Sequence, residues 1–72
     1  MTTNKQLGMR IRYLREQRKM TLEDLEFEAG VNKNYLSDLE RGNRNPTVNV
    51  LTRISHALGI TLEELFKGIS ID

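Results

Sequence analysis

The stretch TLEDLEFEAGVNKNYLSDLERG, residues 21–42, decides the fold. It reads as two short helices joined by a tight turn at Gly30. Thr21 stands where an N-cap belongs, and Glu23 and Asp24 follow in the first turn, where carboxylates favour the helix dipole. Gly30 supplies the positive φ that ends a helix, Asn32 caps the next one, and Gly42 closes it. Leu25, Ala29, Val31, Leu36 and Leu39 can then form one small core. Asn32, Lys33, Asn34 and Ser37 are left on the outward, leading edge of the second helix. Helices joined this way let the second one project into the major groove of duplex DNA.

Outward from this stretch, apolar spacing marks three more helices. Leu7, Ile11 and Leu14 recur at i, i+4 and i+7, which predicts an amphipathic helix over about 5–18. Thr47 caps a helix carrying Val50, Leu51, Ile54, Ala57 and Leu58, closed by Gly59. Thr61, with Glu64 three residues on, reads as a capping box that opens a short helix bearing Leu62, Leu65 and Phe66. The Gly42–Pro46 loop is cationic and amide-rich and belongs at the surface. Five short helices with short connections predict an all-α domain over residues 1–72.

Composition narrows the class further. A chain of 72 residues has a small core with little margin over conformational entropy, so help from a second subunit is expected. With no cysteine, neither a disulfide nor a thiolate metal site supplies that help. His56 is the sole histidine and reads as a structural residue near an apolar stripe. Glu63 and Glu64 belong to a helix start, and no phosphate-binding loop or dinucleotide fingerprint occurs, so no catalytic site and no cofactor is expected. No apolar run is long enough for a membrane span and no signal peptide is visible, which predicts a soluble, cytoplasmic, nucleoid-associated protein without membrane contact. The net charge of +1 is too mild to signal nucleic-acid binding, but charge is blocked. Residues 5–19 carry six cations against Glu16 alone, and residues 20–30 carry Glu23, Asp24, Glu26 and Glu28 with no cation. Blocks of this kind read as solvated helix faces unless a neighbouring motif says otherwise.

The ordered segments LGMRIRYLR, TLEDL, AGV, YLSDLERG, NPT and ISHALGITLEELF together resemble the lambda-repressor-like, or Xre-type, helix-turn-helix family over nearly the whole chain. The resemblance implies a compact five-helix DNA-binding domain with the helix-turn-helix motif at about 21–42 and a recognition helix beginning at Asn32. By residue chemistry, Lys33 can donate to guanine O6 and N7, and Asn34 can pair with adenine or hold a phosphate. Asn32 either caps or joins the base contacts, Ser37 reaches the same groove, and Asp38 could accept from cytosine N4, exclude phosphate, or pair within its helix. Thr21, Tyr35, Arg41, Asn43 and Arg44 are candidate phosphate contacts, Arg44 with the minor groove as an alternative. The resemblance also implies a pairing of Arg15 with Glu40. The chain departs from the family at Leu22, where a glutamine usually clamps DNA, and at Glu26, where alanine is usual. The Glu26 carboxylate is expected to bend out to solvent.

Residues 48–72 are expected to form a homodimer. Val50, Ile60, Leu62, Leu65, Phe66, Ile69 and Ile71 exceed what so small a core needs, and Ile69-Ser70-Ile71 has no obvious partner within the chain. A two-fold pair would present recognition helices about 34–36 Å apart and read a pseudo-palindromic operator. With no segment left over for a small-molecule effector, the expectation is a stand-alone regulator. It is most similar to restriction-modification controller proteins, with small phage or mobile-element repressors next. It is expected to repress. Because some members of the family use acids at this place to contact the polymerase sigma subunit, the resemblance implies that Glu23, Asp24, Glu26 and Glu28 could let it activate as well, with dipole compensation and solubility as the plain alternative. A small protein-interaction module such as an antitoxin is the alternative.

Overall fold

The computed structural model describes residues 1–70. Five helices run in order: α1 Thr3–Gln17, α2 Leu22–Ala29, α3 Lys33–Glu40, α4 Val48–Ala57 and α5 Leu62–Leu65. Every one starts at a side-chain cap of the kind that satisfies the first free N–H groups of a helix. Thr2 Oγ1 accepts from the Lys5 N–H at 3.2 Å, which starts α1 earlier than its apolar periodicity suggests. Thr21 and Asp24 form a reciprocal box on α2, with 3.0 Å and 2.9 Å bonds. Thr47 and Thr61 accept from Val50 and Glu64. The box expected at Thr61 and Glu64 is half-formed, because the Glu64 carboxylate lies toward Arg10, at 3.6 Å.

Turns between the helices use left-handed residues. Gly30 has φ 68° between α2 and α3. After α1 the same geometry falls on Lys19, φ 57°, a conformation that costs an L side chain about 1–2 kcal/mol. Lys19 N–H donates to Glu16 O and Met20 N–H to Arg15 O, so the turn folds back and delivers Thr21 to cap α2.

The helices close on one core of Leu7, Ile11, Leu25, Ala29, Val31, Leu36, Leu39, Leu51, Ile54, Leu58 and Leu65. α1 packs on α3 and α5, α2 on α3 and α4, and α4 on α5. The α1–α3 crossing is a close one. At Gly8 an added Cβ would run into Leu39 O and stand 2.6 Å from Glu40 O, so α3 can lie where it does only because residue 8 has no side chain.

Two C-terminal expectations are corrected here. Leu65 is fully buried and belongs to the core, so it offers no surface to a second copy. The Ile69–Ser70 segment does have a partner within the chain: Gln6 Nε2 donates to Ser70 O and the Ser70 N–H donates to Gln6 Oε1, both at 3.0 Å. A side-chain amide thus pairs with this backbone as a neighbouring strand would, and Ile69 is drawn half into the core. Ile71 lies outside the described residues.

Candidate nucleic-acid interface

α3 is divided by its own periodicity. Leu36 and Leu39 are completely buried, so the stripe formed by Lys33, Asn34, Ser37, Asp38 and Arg41 faces away from the core. Residues spaced by one, three, four and eight positions fall on adjoining turns, giving one continuous polar edge.

The two ends of α3 are held by different means. At the N-terminus, Asn32 Oδ1 accepts from the N–H groups of Asn34 at 2.8 Å and Tyr35 at 3.3 Å. The Lys33 N–H donates to Glu26 Oε2 at 2.9 Å. The Glu26 carboxylate therefore turns inward instead of bending out to solvent, since a free helical N–H in a partly buried turn is a better partner than water. At the C-terminus, Arg15 and Glu40 form a bidentate pair, with Nε to Oε2 at 2.7 Å and Nη2 to Oε1 at 3.0 Å. Only 11% of the Arg15 and 6% of the Glu40 side chain is exposed. The hydrogen bond to Glu40 raises the Arg15 pKa above its ordinary value against the opposing effect of burial. Arg15 Nη1 also donates to Met20 O at 2.7 Å, which joins α3 to the turn that sets α2.

Exposed cations along the edge are also paired. Lys33 Nζ lies 3.2 Å from Glu23 Oε2. A bond from its own backbone N–H, and then one from Lys33, hold the Glu23 carboxyl below the usual carboxylate value. Arg41 and Arg44 share Asp38, at 2.7 Å and 3.4 Å. The Arg44 guanidinium also sits over the Tyr35 ring, 5.0 Å from its centroid, a spacing that favours cation–π attraction. Asn43 is exposed beside them, and its N–H closes α3 on Asp38 O at 2.9 Å.

Of the residues singled out from sequence, Lys33, Asn34, Ser37, Asp38, Tyr35, Arg41, Asn43 and Arg44 lie on or beside this one edge. Thr21 is placed differently from what its expected role requires. Its hydroxyl oxygen and backbone N–H are both engaged with Asp24, so only the hydroxyl proton remains for a phosphate. Because both helix starts in the motif are capped from within, backbone N–H groups offer little to DNA and side chains must supply the anion contacts. Sequence reasoning passed over Glu23, Glu26 and Gly8 in their actual roles. Each acts across a helix packing, and no local spacing signals it.

The model of the helix-turn-helix family matches residues 11–65. This chain belongs to the Xre-type helix-turn-helix family of DNA-binding transcriptional regulators. It is similar to the restriction-modification control protein C.BamHI of Bacillus amyloliquefaciens, 38% identical over 74 aligned residues that cover 99% of this chain and 91% of that protein. The controller protein C.AhdI of Aeromonas hydrophila has the same fold, with a TM-score of 0.84 and 34% identity, covering 86% of this chain and 94% of that one. The transcriptional regulator DdrOP3 of Deinococcus deserti is 40% identical over 60 residues, 83% of this chain but only 46% of that longer protein. Xre-type membership accounts for the five-helix order and for the motif at α2–α3, and it marks a regulator, not an enzyme. No helix among the described residues is long and apolar enough to cross a membrane.

Proposed function

We propose that this Xre-type chain is a controller-like regulator that reads a specific duplex operator through the exposed edge of α3, as a homodimer on a pseudo-palindromic site. The observation that carries this reading is the placement of Lys33, Asn34, Ser37 and Asp38 on one outward stripe, with Arg41, Asn43 and Arg44 at its end. The first group offers donors and acceptors matched to base edges, the second offers phosphate contacts beside them. Asn32 contributes through the amide NH2 that its capping role leaves over. The similarity to C.BamHI and C.AhdI supports the controller assignment.

Self-association is assigned to the α4–α5 side. Val50, Ile60, Leu62 and Ile69 are half-buried there, Phe66 is 39% exposed, and Val48, which sequence reading did not include, is 70% exposed. A dimer makes occupancy steep in protein concentration and stabilises a small fold. A separate surface supports the activator role: Phe27 on α2 is 86% exposed, next in sequence to the exposed Glu28, an apolar and acidic combination that a protein partner such as the sigma subunit could dock on. The protein would then act in the cytoplasm, on the nucleoid.

The test is selection of bound duplexes from a random pool, followed by footprinting. A two-fold symmetric site is expected, and Lys33→Ala should cost about 1–3 kcal/mol on it while relaxing preference at one position. Duplex binding with no sequence preference would refute the operator reading. A Phe66→Glu variant that sediments like the parent chain would remove Phe66 from the dimer.

A further inference from the structure

Asp38 stands apart on the recognition edge because one carboxylate serves two arginines. Oδ1 accepts from Arg41 at 2.7 Å and Oδ2 from Arg44 at 3.4 Å. The pairs are open to water, with a third of the Asp38 side chain and about half or more of each arginine exposed. The two arginines are the cations best placed to grip phosphate at this end of α3, and both spend hydrogen bonds on a neighbour of the wrong sign for DNA. When a phosphate takes them, Asp38 is left as an unpaired anion close to the DNA backbone, which is costly. That cost falls only if the carboxylate finds another donor. Asp38 lies one residue from Ser37 and five from Lys33, on the same stripe, and the donors that the major groove presents to such a carboxylate are exocyclic base amino groups, cytosine N4 above all.

We propose that Asp38 couples base reading to phosphate grip, which deepens the assignment of α3 as the reader and rests on it. On a matching sequence the carboxylate moves to a base amino group and hands Arg41 and Arg44 to the phosphates. On other sequences it keeps them, and binding stays weak. Asp38 is thus a positioning residue that acts through the two arginines, and its effect is on discrimination more than on affinity.

The experiment compares the full chain with Asp38→Asn and Asp38→Ala by fluorescence anisotropy. The probes are a random-sequence duplex and the selected site, each over a salt series, with thermal unfolding to show that the variants fold. On the random duplex both variants should bind more tightly, roughly five- to thirtyfold at ~0.15 M salt, with a slope of log K against log salt steeper by about one to two units. Affinity for the selected site should not rise in parallel, so the ratio between the two duplexes should fall about tenfold or more. In a background of Arg41→Ala with Arg44→Ala, the Asp38 substitutions should lose this effect. Unchanged random-duplex affinity and slope, an equal gain on both duplexes, or a gain that persists without the arginines would each overturn the coupling. Failure of the unmodified chain to bind duplex DNA in a salt-dependent way would overturn the α3 reading itself, and it is visible in the parent arm alone.

Discussion

Arginine meets carboxylate at both sides of α3, and the two meetings have opposite consequences. Inside, Arg15 grips Glu40 with two parallel hydrogen bonds and about a tenth or less of each side chain exposed. Outside, Arg41 and Arg44 share Asp38 in contact with water. Charge and bond length are alike at the shortest contacts, 2.7 Å in each. Desolvation is what separates them. A buried pair cannot lose one member without leaving a charge that water cannot reach, so it serves as frame. An exposed pair exchanges with water, salt or phosphate at small cost, so it can take part in binding.

The strongest way to break this contrast is to remove half of the inner pair. Glu40→Ala should destabilise the domain by about 3–5 kcal/mol, much of the stability that a chain of this size has. Replacing both partners with apolar residues, Arg15→Met together with Glu40→Leu, should recover most of that loss, and denaturant unfolding of the three chains decides it. A loss below about 1 kcal/mol for Glu40→Ala would make the inner pair equivalent to the outer one. Gly8→Ala attacks the same frame without touching charge. Since the new methyl meets the backbone of α3, which cannot rotate away, a loss of about 2–3 kcal/mol and weaker operator binding are expected. Calorimetric unfolding and a binding isotherm on the same sample would check both.

Smaller effects sharpen the comparison at the helix starts and the surface. Glu26→Ala frees the Lys33 N–H and should cost about 1 kcal/mol, with faster hydrogen exchange confined to the first turn of α3. Exchange that rises evenly over the domain would deny Glu26 its local role. Lys19→Gly relieves a left-handed lysine and should raise stability by about 0.5–1 kcal/mol. Last, Arg41→Ala should change the unfolding midpoint little, a loss below about 1 kcal/mol, while weakening DNA binding and lowering the salt slope by about one unit. The pair would then matter to the complex and hardly at all to the fold.

Charge blocks were the least informative part of the sequence. The cations of residues 5–19 look like one basic surface, yet Arg15 is buried on Glu40, Arg10 donates to Glu64 O at 2.9 Å, and Arg12 pairs with Glu16 at 3.2 Å. The acids of residues 20–30 look like a solvated face, and Glu23, Asp24 and Glu28 are exposed, but Glu26 turns inward to cap α3 and the exposed Glu23 also holds Lys33. Local signals did better. Thr21, Asn32, Thr47 and Thr61 all cap the helices expected of them, because a cap is a bond between residues two or three positions apart and needs no tertiary contact to be legible.

By itself the sequence determined the number and order of helices, the starts of all but α1, the turn at Gly30, the apolar stripe of each and the polar edge of α3. All of these follow from spacing within a few residues and from the period of the helix. Only the tertiary structure decided which charges are frame and which are surface, that Leu65 is core, that Gln6 holds Ser70 across the chain, and that Asp38 stands between two arginines. Those outcomes depend on burial and on contacts between segments brought together from far apart. A side chain's worth changes severalfold with access to water, and access to water is a property of the packed molecule, not of the residue.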